Sequence, residues 1–437
     1  MHHDEQSRRE FLRNAMVLGA SLPAACRLVR AADAPAPKPK PPSEKLNLGI
    51  VGVAGRGGDN LSSVTSENIV ALCDVDRQRL DPVARAFPAA MACDDYRKLL
   101  DVKGLDAVVV STPDHMHAIV GAHALKAGLD VYCEKPLAHS IHEVRTLRRL
   151  AAEGKRVTQM GTQIHAGDNY RRAVEIVQAG TIGPVRRVHV WQSSRPEGGR
   201  RAKDGSPPPN VNYDVWLGPA PFRPFDPSHF HFVWRWWWDF GGGVLADMGC
   251  HYIDLAYWAL GLDAPVSAEA TGKKEYEGDN DVPSVMRVDY HYPARGDRPP
   301  VHLTWYHGGW MPEGAEVYKK SSAVLFEGDQ GKLLADYGDR RAFISDVSGK
   351  SVDLAAPPPS IPASIGHHRE WIEAVKSRGT TTCNFDYSGA LAEAVLLGNV
   401  AYRTGKKIEW DSKELKAVNA PDAAQYVQRE YRKGWSL

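Results

Sequence analysis

Short apolar runs alternate with helical patterns through the first third of the chain. Four of these runs are continuous, over residues 46–52, 68–74, 107–111 and 129–133, and a helical stretch at 118–127 separates the last two. Continuous apolar runs of this length are typical of strands that are buried on both faces, and the helix fits a crossover between parallel strands. The pattern predicts a doubly wound parallel α/β sheet, which binds ligands at the carboxyl ends of its strands.

The second half of the chain has a different pattern. Polar and apolar positions alternate in several of the segments 284–292, 301–307 and 322–326, which predicts strands with one buried face. Helices are predicted from about Val244 and over 385–403. A chain of 437 residues is long enough for two domains with separate cores. We expect a nucleotide-binding domain over 46–165 and a second domain over 166–437.

The N-terminal segment has the composition of a targeting signal. Arg8 and Arg9 precede a modestly apolar run at 15–22, which is too short to span a bilayer. The arrangement resembles a twin-arginine export signal, and a basic disordered tail is the alternative. We predict a signal over 1–32, a disordered Pro/Lys-rich linker over 33–45, and an exported, periplasmic protein without a mature membrane span.

Charge and cysteine content exclude several classes of partner. The net charge is +1, from 54 basic and 53 acidic residues, so neither nucleic acid nor an anionic membrane is expected as a partner. A small neutral substrate fits better. Apart from Cys26 in the signal, five cysteines remain without paired spacing, which supports neither structural disulfides nor a metal site.

A glycine-rich turn follows the first predicted strand directly. It runs from Gly52 to Gly57, where dinucleotide phosphates would contact backbone N–H groups at a helix N-terminus. Ala54 stands where the fingerprint has its second glycine. Asp74 ends the second predicted strand, 22 residues after Gly52, at the spacing expected for a carboxylate that binds the adenosine ribose. An acid there favours NAD over NADP, although the nearby Arg77 leaves NADP open.

Two further motifs supply candidate chemistry. Lys135 places a cation at the end of the strand 129–133, between an acid and a proline. On the helix from about Val244, Asp247 and His251 are four residues apart and share a face. Oxidation of a secondary hydroxyl needs a base for its proton and a cation for the developing alkoxide, which are roles that suit His251 and Lys135.

The same helix carries a possible orienting group. Asp254 lies three residues beyond His251, on the same face, and is predicted to orient its imidazole. The structural alternatives are a helix cap for Asp247 and a buried structural histidine for His251. No further His/Glu cluster with ligand spacing supports a metal pair, so no metal site is predicted.

Together these motifs resemble the Gfo/Idh/MocA family of oxidoreductases. The resemblance covers about 46–411 and depends on the glycine turn, on Thr112, Pro113 and His117, on 134–136, and on the segment leading to Asp247 and His251. It implies a Rossmann domain followed by an α/β domain with a large, open, mostly antiparallel sheet, and a homodimer or homotetramer. It also implies that Lys135, Asp247 and His251 form the catalytic group. The cofactor contacts we predict are Gly52, Gly55, Arg56, Gly57, Asp74, Thr112, Pro113, His117, Glu134 and Lys135.

An irregular segment rich in Gly, Pro and aromatic residues precedes the predicted catalytic helix. It spans 195–240 and contains five of the twelve tryptophans. Aromatic faces pack on sugar rings, so we predict substrate contacts by Trp234 and Arg235, although most of these tryptophans are expected to hold the segment on the sheet. His165, near the crossing between the domains, is also predicted to contact the sugar.

Three functions are compatible with these residues. The preferred one is an NAD-dependent dehydrogenase for a secondary hydroxyl of a sugar, glycoside or cyclitol. An NAD-dependent glycosidase would oxidise the sugar, eliminate the aglycone and reduce the product, but relatives of that kind often depart from the sequence at 134–136. A non-catalytic sugar- or nucleotide-binding protein would not need Lys135, Asp247 and His251 together.

Overall fold

The computed structural model describes residues 38–41, 43–345 and 351–437. The predicted export signal lies outside the described residues, as does part of the predicted linker. Lys40, inside that linker, is nevertheless held against the body, because its N–H donates to the carbonyl of Lys376 (2.7 Å) and its ammonium group to Asp106 (2.9 Å). None of the helices in the described part of the chain combines the length and the hydropathy needed to span a bilayer.

The N-terminal domain contains a six-stranded sheet in which every pair of neighbours is parallel. The strands are β1 Asn47–Val51, β2 Asn68–Cys73, β3 Met91–Cys93, β4 Ala107–Val110, β5 Asp130–Cys133 and β6 Thr158–Met160, and the helices are α1 Arg56–Ser63, α2 Arg77–Ala86, α3 Tyr96–Leu100, α4 Asp114–Lys126 and α5 Ile141–Glu153. The strand order is β3-β2-β1-β4-β5-β6. The order reverses at β1 and β4, so the carboxyl ends of these two strands flank the crevice where ligands bind. The predicted doubly wound fold is confirmed.

The second domain is built on a ten-stranded sheet. Its strands are β7 Val185–Gln192, β8 Ser267–Lys273, β9 Val285–Tyr292, β10 Val301–His307, β11 Ala323–Gly328, β12 Lys332–Ala335, β13 Arg340–Ser345, β14 Ser351–Asp353, β15 Ile408–Asp411 and β16 Lys416–Ala417. The order is β14-β13-β12-β11-β7-β10-β9-β8-β15-β16, and only β7 and β10 pair in parallel. The mostly antiparallel sheet that the resemblance implied is therefore confirmed.

The described residues of this second part of the chain also contain six α-helices. They are α6 Asp168–Gln178, α7 Tyr213–Leu217, α8 Gly243–Leu260, α9 His367–Ser377, α10 Phe385–Thr404 and α11 Ala424–Val427. α8 packs on β7 and β11, and α10 packs on both α8 and α5. The N-terminal end of α8 is thereby placed at the boundary between the two sheets.

One helix from late in the chain completes the core of the first domain. Trp371 on α9 is fully buried in the hydrophobic cluster that contains Leu48 and Val109 of β1 and β4. Lys376 on the same helix forms a buried ion pair with Glu67, 2.9 Å apart. The nucleotide-binding domain is therefore assembled from two separate stretches of the chain.

Candidate active site

A large cavity lies between the two domains. Its volume is about 2170 Å³, which exceeds the ~300–1000 Å³ of a typical small-molecule site and leaves room for a dinucleotide together with a substrate. Most of the predicted site residues line it: Gly52, Gly55, Arg56, Asp74, Thr112, Pro113, His117, Glu134, Lys135, Trp234, Arg235, Asp247 and His251. Gly57 and His165 are not among the residues at its surface.

The glycine-rich turn has the geometry of a phosphate-binding loop. Gly52 has φ +87°, and a Cβ atom there would lie 2.4 Å from the carbonyl oxygen of Ser111. A Cβ at Gly57 would lie 2.1 Å from the carbonyl oxygen of Gly52, so Gly57 allows α1 to pack closely on β1. Gly55 has φ +57° and faces open space at the N-terminus of α1. The turn therefore fits a dinucleotide even with Ala54 at the second glycine position.

Asp74 lies at the edge of the cavity and is partly used by the protein itself. Its carboxylate accepts hydrogen bonds from the N–H groups of Val53 and Asp76, each 3.1 Å long. Burial raises the pKa of Asp74, whereas these N–H groups lower it. Arg79 lines the cavity and Arg77 does not, so the arginine nearest a 2′-phosphate would be Arg79 rather than the predicted Arg77.

His117 connects the two loops that carry the predicted nicotinamide contacts. It is buried, and its ring nitrogens lie 2.7 Å and 2.8 Å from the carbonyl oxygens of Pro136 and Thr112. Burial lowers the pKa of His117 to about 4, so the ring is neutral at pH 7. Its role in this arrangement is to fix the loop after β4 relative to the loop after β5.

Glu134 is held by a buried polar network. Its carboxylate accepts hydrogen bonds from the side-chain amides of Asn60 (2.9 Å) and Gln163 (2.7 Å). A Cβ atom at Gly161 would lie 2.5 Å from Glu134 Oε1, so the network fits only beside a glycine. Asn60 in turn accepts a hydrogen bond from His368 of α9, 2.9 Å away. The loop that carries Lys135 is therefore fixed by groups from both domains.

Lys135 and Asp247 meet across the domain boundary. The ammonium group of Lys135 donates to Asp247 Oδ1 (2.6 Å) and to the carbonyl oxygen of Asp247 (2.7 Å). Arg235 Nε also donates to Asp247 Oδ1, at 3.1 Å. Burial alone would raise the pKa of Asp247, but the charges of Lys135 and Arg235 lower it well below its usual range. Asp247 is therefore ionised, and it orients two cations toward the cavity.

Arg235 is itself held between two aromatic rings. Its guanidinium carbon lies 4.3 Å from the centroid of Trp234 and 4.5 Å from that of Phe232. Trp234 is buried in an aromatic cluster with Trp216, Trp237 and neighbouring rings, whereas Phe232 is exposed at the cavity. Most of the tryptophans hold the irregular segment in place, as predicted, and in doing so they position Arg235.

His251 lines the cavity one helical turn from Asp247. Burial, and after it the charge of Lys135, lowers the pKa of His251 to about 3, so its imidazole is neutral at pH 7. Its Nδ1 atom is buried and has no hydrogen-bond partner in the described part of the chain. A histidine that acts as a general base usually has a pKa near neutrality, and the pKa of His251 is lower because the ring is desolvated and a cation lies beside it.

Asp254 does not orient His251, which corrects the prediction made from their spacing. Its carboxylate instead lies 2.9 Å from Nδ1 of His165 and accepts a hydrogen bond from the Tyr387 hydroxyl at 2.7 Å. His165 is buried and stacks on Trp258, with ring centroids 4.0 Å apart. This group lies beneath the cavity surface, and a sugar contact by His165 stays a prediction.

Asp114 is a site residue that the sequence analysis did not select. It lies in the first turn of α4, lines the cavity and is 3% exposed. Burial raises the pKa of Asp114 to about 7, against the charges of Arg235 and Lys135, which lower it. A carboxyl group with that pKa can hold or release a proton near neutral pH. Asp114 directly follows Thr112 and Pro113, which were predicted to contact the cofactor, and this position is the signal that could have identified it.

No group of three or more His, Cys, Asp or Glu side chains in the described ranges is arranged to hold a metal ion. The five cysteines of this part of the chain are unpaired and buried.

Comparison with known proteins agrees with the fold. Inositol 2-dehydrogenase of Salmonella typhimurium is 31% identical over 150 residues, which are 33% of this chain and 45% of that protein. The chain thus spans about half the length of the curated relatives that it matches.

Two solved structures share the fold. GenD2 from gentamicin A biosynthesis, crystallised with NAD, has a TM-score of 0.60 and 21% identity, covering 86% of this chain and all of that one. Levoglucosan dehydrogenase, in complex with NADH and levoglucosan, has a TM-score of 0.58 and 16% identity, covering 84% and 99%.

Family models match both halves of the chain. Residues 46–162 match the model described as "Oxidoreductase family, NAD-binding Rossmann fold", so the predicted NAD-binding domain is confirmed. Residues 190–437 match the model described as "Oxidoreductase family, C-terminal alpha/beta domain", which covers more than half of the chain. The chain belongs to the Gfo/Idh/MocA family of oxidoreductases.

Proposed function

We propose that the protein is an NAD-dependent dehydrogenase that oxidises a secondary hydroxyl of a sugar, glycoside or cyclitol. The observation that carries this proposal is the meeting of Lys135, Asp247 and His251 in the cavity that the glycine turn also lines. The names of the relatives agree with it, since one acts on inositol and another was crystallised with an anhydrosugar.

The residues that would hold NAD are present at the carboxyl edge of the first sheet. The backbone at Gly52 and Gly55 would take the pyrophosphate, Asp74 the adenosine ribose, and the loops at Thr112 and Lys135 the nicotinamide end. When bound, NAD supplies the acceptor for the hydride. Asp247 fixes both the ammonium group of Lys135 and the guanidinium group of Arg235, so the charge of Lys135 stabilises the alkoxide that forms on the substrate.

His251 is placed to accept the hydroxyl proton. Its pKa is low in part because Lys135 is charged. As the hydroxyl proton leaves, the negative charge on the substrate oxygen offsets the charge of Lys135, and the imidazole becomes a stronger base. Asp114, whose pKa is about 7, lies in the same cavity and can take up a proton afterwards.

The alternative functions are less well supported by these contacts. A binding protein gains nothing from a largely buried lysine whose charge is oriented toward the cavity by two hydrogen bonds to Asp247. A glycosidase of the oxidation and elimination type would use the same first step, so only the products separate it from a dehydrogenase.

Replacing Asp74 tests the cofactor site. Asp74→Ala is expected to weaken NAD binding by about 1–3 kcal/mol, because charge-assisted hydrogen bonds to the ribose are lost. Asp74→Asn is the matched control, since its amide oxygen can still accept from Val53 while the charge and the second acceptor, used by Asp76, are removed. Titration of protein fluorescence with NAD measures both. Tighter binding of NADP than of NAD by the unaltered protein would contradict the assignment and give Arg79 the larger role.

Replacing Lys135 and His251 tests the chemistry. Lys135→Met and His251→Gln are each expected to lower kcat by about 100-fold or more, because an electrostatic stabiliser or a general base is lost. Lys135→Arg keeps the charge and should lose less. Initial rates of NADH formation across pH 5–10, with thermal melting to check folding, measure this. If His251→Gln keeps the rate and pH profile of the unaltered protein, the base is another group.

Product analysis separates oxidation from glycoside cleavage. With a glycoside, we expect NADH and a keto-glycoside to form in equal amounts without release of aglycone. A glycosidase would instead accumulate aglycone without net NADH, and solvent deuterium would enter at the carbon next to the oxidised position. Mass spectrometry of the products together with absorbance of NADH decides between the two, and aglycone without NADH would reject the dehydrogenase.

Export by the twin-arginine pathway is also proposed, on the basis of Arg8 and Arg9 before an apolar run. Changing both arginines to lysine should leave folded protein in the cytoplasm, because the receptor reads the arginine pair. Cell fractionation with immunoblotting measures the distribution. Normal periplasmic recovery of the variant would contradict this route. The homodimer or homotetramer stays a prediction, which light scattering can measure.

A further inference from the structure

Tyr337 is an exposed aromatic residue in the cavity that the proposed chemistry does not use. It lies in the turn between β12 and β13, is 39% exposed, and lines the same cavity as Lys135, Asp247 and His251. A tyrosine ring presents a flat apolar face together with a polar tip, which suits contact with a ligand group. A ligand bound in the cavity can therefore contact Tyr337.

The turn that carries Tyr337 is firmly fixed. Asp336 Oδ1 accepts hydrogen bonds from the N–H groups of Gly338 (2.9 Å) and Asp339 (2.7 Å). The side-chain amide of Asn169 donates to the carbonyl oxygens of Asp336 and Asp339, at 2.7 and 2.8 Å. Lys320 holds the other carboxylate oxygen of Asp336 at 2.7 Å. Binding of a ligand to Tyr337 would cost little conformational entropy, because the turn is already ordered.

The ring is also packed on the catalytic helix. Tyr252, the residue after His251, stacks on Tyr337 with centroids 4.8 Å apart and planes at 24°. Tyr170 meets it edge to face at 5.9 Å. Tyr252 thus covers one side of the ring, and the exposed remainder lines the cavity.

The distance from Tyr337 to the proposed base places it beside the reaction rather than over it. Its centroid is 6.3 Å from that of His251, and the two planes are nearly perpendicular, at 73°. The hydroxyl that loses its proton must approach His251 within about 3 Å. The ring being oxidised therefore sits at His251, and at this separation either that ring or a group attached to it can lie against Tyr337.

We propose that Tyr337 is a specificity-determining residue, which stacks on a second ring linked to the sugar being oxidised, so that the preferred substrate is a glycoside rather than a free monosaccharide. This inference rests on the proposed function. The second ring presents a flat apolar face, as sugar rings and aryl aglycones both do. Phe232 is another exposed aromatic residue of the cavity, with one side of its ring packed on Arg235, and it is the comparison residue in the test.

The test compares matched substrates. Methyl glycosides, 4-nitrophenyl glycosides and disaccharides of the same sugars are assayed for NADH formation, and the ratio of kcat/KM for each two-ring substrate to that for the methyl glycoside is measured. In the unaltered protein we expect a ratio above 1. Tyr337→Ala should lower that ratio about 10-fold, as expected for the loss of one stacked ring, and Tyr337→Phe should restore it. A drop with the aryl glycoside alone identifies an aglycone site, and a drop with the disaccharide alone identifies a sugar site.

Binding separates this inference from the proposed function. Calorimetric titration of the protein with the same compounds in the presence of NADH gives Kd values that do not depend on turnover. If no compound is oxidised but Tyr337→Ala weakens only two-ring ligands, the dehydrogenase proposal fails and the stacking site stands. If compounds are oxidised and the ratio does not change in Tyr337→Ala, or changes only in Phe232→Ala, the stacking site at Tyr337 is rejected. Thermal melting confirms that each variant is folded.

Discussion

The ion pair between Lys135 and Asp247 is the interaction on which the rest of the site depends. The two residues are 112 positions apart, and their side chains are only 11% and 20% exposed. Removing two charges from water costs several kcal/mol per ion unless the geometry is good and the remaining polar atoms are satisfied. Two hydrogen bonds from one ammonium group to Asp247, and a third from Arg235, meet that requirement. The pair therefore fixes the end of β5 against the start of α8, and so one domain against the other.

Around this pair, the domain boundary is held by hydrogen bonds to backbone carbonyl groups and by close packing at a glycine. Ring nitrogens of the buried His115 lie 3.3 Å and 2.7 Å from the carbonyl oxygens of Phe240 and Trp216, and Asn399 donates to the carbonyl of Gly242. A Cβ atom at Gly242 would lie 2.4 Å from that of Ala246, so the glycine run before α8 is required by close packing. The aromatic segment is thus a structural part of the site, because it places Arg235 beside Asp247.

The pattern of apolar and polar residues predicted the strands and helices whose burial is visible in their own sequence. The strand 301–307 and the helix from 385 were predicted within a residue of their observed bounds, since continuous or alternating burial is visible along the chain. β7 was not predicted, because Arg186, Arg187 and His189 interrupt its apolar pattern although the strand is central in the sheet. The packing of α9 on the first domain was also missed, since its apolar face does not indicate which sheet it will cover.

The residues of the site likewise fall into those that spacing along the chain predicted and those that it did not. Spacing placed Asp247 and His251 on one helix face, and both line the cavity, whereas the partner of Asp254 depended on which side chain the fold brings near it. That partner is His165, from 89 residues earlier in the chain. Tyr337 lies beyond local reasoning for the same reason. Asp114 could be located from its position after Pro113, but its burial and its raised pKa depend on the fold.

The charges in the cavity also limit the chemistry it can support. Lys135 and Arg235 lie beside one ionised carboxylate, Asp247, and near Asp114, whose pKa of about 7 leaves it ionised only in part, while the buried carboxyl group of Glu134 directly precedes Lys135. The two cations favour negative charge on a nearby oxygen atom over positive charge on a nearby carbon atom. In the dehydrogenase proposed above, the step that builds an alkoxide gains from these two charges, which favours removal of a hydroxyl proton as the first event.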